Sequence, residues 1–551
     1  MPDKVTVASQ SESELSPGEQ LAAVPLATPV STAPPPAKDR SLAHAIGKNT
    51  IFGVVARVAQ AGTRLITVPI VIAHLGLGGY GIWAIIMTAA AYMRFGSIGI
   101  KSAFQKYVAE ATGNGNYEQA NRLLSTGSAA MFVLSVAGLV PISLFSRQLA
   151  STLGVPPEFL KSAAGAISML AVIMVLSNVA AAYEAIIMGG HRIDLARKFT
   201  TFFNVAEAVG IILVLHYGLG LFAMATVMGV SEVGFIACCY VAAKKVVPEV
   251  QLGRTHITRA VLPELFRYAG SYQLVNVMEV VYAAIIPVAL LRVFGDEAAG
   301  VYALANRLES SALMLPDAFL LPILSGGAKV YNSGSPDEMN RLISKSFKVT
   351  LALSLLPLAF LGVFGTTIVY AWTGQSPASL QATLWLLCIT GFFYSFSILA
   401  LVLYRTSGRA LHDNIRQLLR ILMLFSVALF AARAGYLGVL TGLACAELFG
   451  MVFMLYAISK TYPGFHLQSM LPQTLKLLVT TAICIAVGIL FSHAPLPASL
   501  NPRMLATVQL ALAFAGCVLA AGPALWVTKS VTAEEKSALL HALVPRRFRS
   551  A

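Results

Sequence analysis

Charged residues are scarce in this chain, and their scarcity excludes a water-soluble fold of this size. Only 12% of the 551 residues are Asp, Glu, Lys or Arg, whereas 57% are hydrophobic and the mean hydropathy is +0.74. A soluble protein has about 25% charged residues, because polar side chains must cover its surface. Lipid must therefore solvate most of this chain.

Motifs for catalysis and metal binding are also missing. The six cysteines all lie in apolar runs without metal-ligand spacing, so we expect neither a disulfide framework nor a metal site. The sequence has no Gly-x-x-x-x-Gly-Lys-Ser/Thr phosphate loop, no His-Glu-x-x-His pair and no spacing typical of a catalytic triad. We predict that the protein is not an enzyme, with no catalytic residues and no cofactor.

The first 45 residues differ from the remainder of the chain. They are rich in Ser, Pro, Ala and Glu, and they contain no apolar stretch long enough to pack. This composition predicts a disordered cytoplasmic tail. Since no basic segment followed by an apolar one stands at the start, we do not expect a secretory signal.

Fourteen apolar runs follow the tail, and each is long enough to cross a bilayer, which requires about 20 residues. Backbone groups in lipid must be hydrogen-bonded internally, so continuous runs predict helices rather than the alternating strands of a barrel. The predicted fold is an all-α polytopic membrane protein. The predicted spans are 50–75, 80–104, 122–146, 162–188, 199–217, 219–243, 267–294, 298–325, 346–371, 378–404, 412–433, 436–459, 474–492 and 505–527.

Basic residues are distributed unequally between the two sides of the predicted bundle. Most fall on one side, among them Arg405, Arg409, Arg416 and Arg420. The positive-inside rule makes this side cytoplasmic and places both termini there. The distribution explains the net charge of +14 as a topology signal, with help from anionic lipid, so we expect no nucleic-acid partner.

A shift of 219 residues aligns Gly, Asn, Asp and Arg residues of one half of the chain with identical residues of the other half. Each half holds six predicted spans, so the two copies enter the membrane from the same side as parallel repeats and face each other across a central cavity. We predict an N-terminal lobe over 46–245, a C-terminal lobe over 246–462, and a segment over 463–551 with two more helices and a basic C-terminus. The aligned pairs are Gly76 and Gly295, Gly115 and Gly334, Asn121 and Asn340, Arg122 and Arg341, Asp194 and Asp413, and Arg197 and Arg416.

Four arginines lie deep within predicted spans, where an isolated charge costs about 2.5–3.5 kcal/mol. Arg57 and Arg64 are seven residues apart on one face of the first span, and Gln60 lies on the same stripe. Arg94 and Arg307 lie well inside the second and eighth spans. Arginine stays charged and binds phosphate oxygens through two N–H groups at once. We predict that these five residues bind an anionic substrate.

Carboxylates within the predicted spans offer a structural alternative, because each can pair with an arginine. For Arg307, an ion pair with Glu279 and a role in substrate binding are equally well supported. The same carboxylates are candidates for coupling transport to an ion. They are Glu207, Glu232, Glu279, Glu309 and Glu447.

Four segments carry a resemblance to a known family, namely Leu75–Trp83, Gly96–Ile100, Lys106–Glu110 and Gly115–Arg122. They resemble the Wzx-like polysaccharide flippases of the multidrug/oligosaccharidyl-lipid/polysaccharide exporter (MOP) superfamily, which are related to the lipid II flippases. The resemblance implies a V-shaped bundle with a cationic central cavity. It also implies that undecaprenyl-diphosphate-linked oligosaccharide crosses the bacterial inner membrane by alternating access, for export of cell-surface polysaccharide.

Three alternatives stay open from the sequence. One is a cation-coupled drug or metabolite exporter of the same superfamily, although buried carboxylates in the first span would favour it and this chain has arginines there. A lipid II flippase is the second, and a scaffold that docks glycosyltransferases is the third. For a flippase the expected partners are lipid-linked oligosaccharide, membrane lipid, a coupling proton or sodium ion, and glycosyltransferases or a polymerase of the same pathway.

Overall fold

The computed structural model describes residues 62–63, 65–88, 104–190, 192–314, 335–406, 411–431, 433, 435–462, 470–497 and 501–530, with single positions near 316–330 and at 468. These residues are mostly helical and include no β-strand, which confirms the predicted all-α class. The predicted N-terminal tail lies outside the described residues. So do four of the predicted substrate residues, which are Arg57, Gln60, Arg64 and Arg94.

Fourteen helices lie within the described ranges; ten of them each follow one predicted span, and α1 and α8 each include parts of two. The short helices α2 and α4 occupy segments that the hydropathy pattern treats as connections. The helices are α1 (Leu65–Thr88), α2 (104–114), α3 (Tyr117–Leu144), α4 (Ser146–Leu153), α5 (Pro157–Gly189), α6 (Ile193–His216), α7 (Leu221–Val246), α8 (Leu262–Ala312), α9 (Pro336–Thr373), α10 (Leu380–Thr406), α11 (Leu411–Ala431), α12 (Tyr436–Thr461), α13 (Leu471–Ser492) and α14 (Pro502–Val527).

Ten of these helices are long and apolar enough to cross a membrane. Helices α8 and α11, whose side chains the structure describes only in part, are not among the ten. Both helices nevertheless coincide with predicted spans, and α11 packs along α8 and α12. The charges of α11 therefore have protein neighbours rather than lipid around them.

Helices α1 and α8 are each broken by a glycine at aligned positions. Gly76 has a φ of 71° and Gly295 a φ of 87°, which are left-handed conformations that other residues rarely adopt. Beyond Gly295 the chain turns back, since Tyr302 lies within electrostatic range of Tyr282 on the preceding segment. In a straight helix these two residues would be about 30 Å apart. Helix α8 therefore contains the predicted seventh span and the start of the eighth.

Helix positions and turn conformations recur at the predicted offset. Helix α3 begins at Tyr117 and α9 at Pro336, which is 219 residues later. Helix α5 packs against α3 and α7 in the first half, as α10 packs against α9 and α12 in the second. These agreements support the predicted two-copy layout. Left-handed glycines recur at or within two residues of this offset, at Gly76, Gly154 and Gly218 in the first half and at Gly295, Gly374 and Gly435 in the second.

Buried apolar residues form one cluster with members from both halves and two clusters that each lie within one half. The shared cluster includes Leu215 from the first half and Leu440 from the second. Another lies only in the first half, among α2, α3, α5 and α7. A third lies in the second half, mainly among α9, α10 and α12. The halves are thus joined at the end that holds Gly76 and Gly295, called the joined end below, and have separate cores at the opposite, split end.

Helices α13 and α14 follow the two halves and pack against each other and against α9. Their shared core contains Cys484 and Ile485 on α13, and Cys517, Ala520 and Ala524 on α14. They extend the second half along α9, as the sequence predicts for two helices outside the repeat.

Candidate functional site

Two aligned glycines bring the backbones of α1 and α8 into direct contact at the joined end. A Cβ atom added to Gly81 would lie 2.5 Å from the nitrogen of Gly300 and 2.7 Å from the carbonyl oxygen of Asp296. A Cβ atom added to Gly300 would collide with the backbone of Leu77. Gly81 and Gly300 are themselves 219 residues apart, which is the offset of the predicted repeat. The two halves therefore close on each other here without intervening side chains.

Arg307 is the one predicted substrate residue that lies within the described part of the chain. It is half-buried on α8, about 18 Å beyond Gly295 along the helix. Tyr80 on α1 lies within its electrostatic range, so Arg307 stands where the two halves meet. The ion pairs among the described residues do not include Arg307, and its guanidinium is available to an anion. Its substrate role stays a prediction.

A buried ionic pair in the second half is the most distinctive feature that the sequence analysis missed. Arg420 on α11 pairs with Glu447 on α12, and their side chains are only 5% and 3% exposed. The Arg420 guanidinium also lies 3.9 Å from the ring centroid of Tyr282 on α8, in cation–π geometry. Its Nη1 donates to Oε1 of Gln417 at 2.7 Å. One guanidinium therefore ties together three helices.

A second ion pair lies on the same helix. Nη2 of Arg416 donates to Oδ1 of Asp413 at 3.3 Å, and both side chains are buried. Arg416 and Arg420, which the sequence analysis used only as markers of the cytoplasmic side, are 1% and 4% exposed and so are packed inside the bundle. Four residues apart, they share one face of α11, and that face packs inward. We call Tyr282, Asp413, Arg416, Gln417, Arg420 and Glu447 the ionic cluster.

The ionic cluster lies at a depth where isolated charges are costly. Arg420 is nine residues into α11, roughly 14 Å from its start. Glu447 is eleven residues into α12, roughly 16 Å from the joined end. Pairing and hydrogen bonding offset the desolvation of the two charges only as long as both partners are present. The cluster is therefore sensitive to the loss of either charge.

Hydrogen-bonding capacity is left over within the ionic cluster. Nε and Nη1 of Arg416, Nε2 of Gln417, Nε of Arg420 and Oε2 of Glu447 are buried without a partner among the described residues. Buried polar atoms are normally hydrogen-bonded. Four of these five atoms are donors, so the cluster can take an anionic group or water more readily than a cation.

Two further predicted carboxylates lie close to the ionic cluster. Glu309 is half-buried on α8, within electrostatic range of Glu447. Gly391 on α10 makes room for it, since a Cβ atom there would lie 2.7 Å from Oε1 of Glu309. Glu279 is exposed on α8, within range of Arg416 and Arg420. The structure thus gathers Glu279, Glu309 and Glu447 around one site, and it shows no ion pair between Glu279 and Arg307.

The remaining two predicted carboxylates lie in the first half. Glu207 on α6 and Glu232 on α7 are half-buried, and each has an interaction partner. The first half lacks a counterpart of the Arg420–Glu447 pair, because the 219-residue shift aligns Arg420 with Thr201 and Glu447 with Met228. The Arg420–Glu447 pair is therefore an addition to one copy of the repeat, whereas Asp413 and Arg416 have aligned counterparts in Asp194 and Arg197. Within the described residues no group of His, Cys, Asp and Glu is arranged to hold a metal ion.

Solved structures with a similar fold are membrane transporters. The inward-facing conformation of a multidrug resistance MATE family transporter of the MOP superfamily matches with a TM-score of 0.64 and 14% identity, over 73% of this chain and 95% of that chain. The lipid II flippase MurJ in an inward closed conformation matches with a TM-score of 0.65 and 14% identity, over 87% and 98%. A MOP superfamily transporter from Pyrococcus furiosus matches with a TM-score of 0.57 and 15% identity, over 76% and 95%. The chain therefore has the fold of MOP superfamily transporters.

Sequence comparison identifies the family more narrowly. Residues 46–326, slightly more than half of the chain, match the family described as polysaccharide biosynthesis protein. The chain belongs to this family, and it is a multi-pass membrane protein with the fold of known flippases and transporters. The match confirms the resemblance carried by the segments between Leu75 and Arg122. No curated protein sequence matches this chain.

Proposed function

We propose that the protein flips undecaprenyl-diphosphate-linked oligosaccharide from the cytoplasmic to the outer leaflet of the bacterial inner membrane, for export of cell-surface polysaccharide. One observation carries the proposal. In a chain of the polysaccharide biosynthesis family, Arg307 stands unpaired among the described residues, about 18 Å from the joined end and beside the first half. An arginine at this depth suits a diphosphate that must pass through the membrane.

The chemistry of such a substrate matches the distribution of polar and apolar residues. Its diphosphate needs cations, its glycan needs a hydrated cavity, and its polyprenyl tail can remain in lipid. Arg57, Gln60, Arg64 and Arg94 are proposed to complete the site around Arg307. Together they would give the phosphate oxygens several charge-assisted hydrogen bonds, each of about 1.5–3 kcal/mol.

Alternating access is supported by the unequal cores of the two ends. The halves share one core at the joined end and have separate cores at the split end. With the predicted sidedness, the split end faces the cytoplasm, which is where the substrate is assembled. This arrangement is proposed to be the inward-facing state, and closure of the split end with opening of the joined end would release the substrate outside.

A proton or sodium ion is the proposed coupling ion, and the second half is its proposed place of action. Glu309 and Glu447 lie within electrostatic range of each other, so a cation that neutralises one relieves repulsion from the other. The same carboxylates are the observation that favours the second candidate function, a cation-coupled exporter of drugs or metabolites. Transport of a cationic drug, unaffected by loss of Arg307, would support that candidate.

Replacement of Arg307 by alanine should lower the flipping rate at least tenfold while membrane abundance stays normal. Loss of one charge-assisted bond to the diphosphate accounts for this factor. Arg307→Lys keeps the charge without the two-pronged geometry and should retain part of the activity. The exposed Arg292, also on α8, supplies a matched control, and Arg292→Ala should flip normally. Normal flipping by a well-expressed Arg307→Ala protein would contradict the proposed role.

Sidedness can be tested by cysteine labelling of intact cells. Asp194 and Asp413, the aligned markers of the predicted cytoplasmic loops, are only 5% and 3% exposed, so they are poor labelling sites. Arg197 is exposed at the split end and Thr152 at the joined end. In a background without native cysteines, an impermeant reagent should label Thr152→Cys and leave Arg197→Cys unmodified. Labelling in the opposite pattern would reverse the proposed topology.

A further inference from the structure

A groove of about 800 Å³ lies at the ends of α5, α6 and α7, outside the site discussed above. Arg192 and Lys245 line it together with Phe199, Cys238 and Val241. Cations and apolar side chains therefore border the same space. This combination is typical of a site for an amphipathic anion rather than for a free ion or an apolar molecule.

The cationic and the apolar residues of the groove lie at different positions along the helices. Lys245 lies in the last turn of α7, and Arg192 directly precedes α6, so both cations stand at the helix ends. Val241 and Cys238 lie about 6 Å and 10 Å further along α7. In a spanning helix these distances lead from the headgroup region into the hydrocarbon. The cations are at headgroup level and the apolar wall is at the level of acyl chains.

The groove opens towards lipid and away from the second half of the chain. Among the described helices, α6 packs mainly against α5 and α7. Only 17% of the most apolar segment of α6 is buried, and Val241 is 52% exposed. A ligand in the groove therefore enters sideways from the bilayer, without passing between the two halves.

Arg192 and Lys245 differ in how many of their hydrogen-bond donors are already occupied. Nε of Arg192 donates to Oδ1 of Asp194 at 3.1 Å, which fixes the guanidinium, and its terminal nitrogens have no partner among the described residues. The Asp194 carboxylate is buried and pairs with Arg192. Lys245 is exposed and forms no ion pair within the described ranges. Two cations against one partly shielded carboxylate leave the groove positive.

We propose that this groove binds an anionic phospholipid, with its phosphate between Arg192 and Lys245 and an acyl chain along Phe199, Cys238 and Val241. Charge complementarity and the sideways opening select a bilayer lipid over a soluble phosphate. Each basic residue at the surface of an anionic membrane contributes about a fivefold preference, so two give about 30-fold. The inference is independent of the proposed flippase function.

Native mass spectrometry of the purified full-length protein tests the site. Wild-type protein should retain phosphatidylglycerol about 30-fold better than phosphatidylcholine with the same acyl chains. Arg192→Gln/Lys245→Gln should lose this preference. Arg254→Gln/Arg259→Gln removes the same charge from exposed positions between α7 and α8, and it should keep the preference.

A second variant keeps the test decisive if the double variant does not fold. Val241→Trp retains both cations and fills the apolar part of the groove, so it should weaken phosphatidylglycerol retention by at least fivefold. Equal loss in the Arg254/Arg259 control would show diffuse attraction and overturn the proposal. So would unchanged retention in the Arg192/Lys245 variant. Preferential retention of undecaprenyl phosphate over phosphatidylglycerol would also overturn it, by making the groove an entry site for the carrier lipid.

Discussion

Replacement of Glu447 by alanine should destabilise the protein by about 3–5 kcal/mol, because the variant leaves the buried Arg420 charge without its partner. Nε of Arg420 already lacks a hydrogen-bond partner among the described residues, so the neighbourhood offers little compensation. Tyr282 would still contact the guanidinium, but a cation–π contact contributes only about 2 kcal/mol when desolvated. Unfolding of the purified protein in detergent, followed by tryptophan fluorescence against denaturant concentration, measures the effect.

An exposed ion pair on α3 supplies the control for this prediction. Glu118 and Arg122 pair at 2.5 Å, but their side chains are 68% and 55% exposed. Glu118→Ala should therefore change stability by less than about 0.5 kcal/mol. The combined variant Arg420→Met/Glu447→Leu removes both buried charges and should recover most of the loss. Equal stability of Glu447→Ala and wild type would contradict the assignment of a tight buried pair.

Replacement of Gly300 by alanine should prevent closure of the joined end and abolish most transport. The new Cβ atom would meet the backbone of Leu77, which cannot move aside as a flexible side chain can. Overpacking of this kind costs about 1–3 kcal/mol, so the closed population should fall roughly 5- to 150-fold. Spin labels at the exposed Thr152 and Ser376 report the separation of the halves at this end. Their distance should increase, and flipping should fall at least fivefold.

The matched control is a glycine with room for a methyl group. A Cβ atom at Gly362 on α9 would lie 3.8 Å from Trp385 and 3.9 Å from Cys388, which is ordinary van der Waals contact. Gly362→Ala should leave both the label distance and the flipping rate unchanged. An unaltered distance between the labels in Gly300→Ala would show that the two halves do not meet through this glycine pair.

The helical framework could be predicted because its signals are local. A bilayer requires about 20 apolar residues for each span, so the length of each run indicates a helix directly. The predicted spans therefore agree with the observed helices to within a few residues for most of the chain, as at Tyr436, where α12 begins as predicted. Gly76 and Gly295 were identified from the sequence as an aligned pair, and both are left-handed breaks in their helices.

The ionic cluster could not be predicted from run length or from the repeat. Arg416 and Arg420 lie near the start of a span, where basic residues are usually solvated and mark the cytoplasmic side. Their burial depends on α8 and α12 packing against one face of α11, which is a tertiary property. A signal was present in the i, i+4 spacing of the two arginines and in the comparable depth of Glu447 on the next helix. Depth matching between neighbouring spans would have paired Arg420 with Glu447.

The central claim is tested most directly by reconstituting the purified protein into liposomes that contain undecaprenyl-diphosphate-linked oligosaccharide. A glycosidase added outside digests only the glycans of the outer leaflet, so the digested fraction rises above one half when the lipid is flipped. We expect near-complete digestion with wild-type protein, and about half with protein-free liposomes and with Arg57→Ala/Arg64→Ala. Digestion that stops at one half with well-folded wild-type protein would contradict the account.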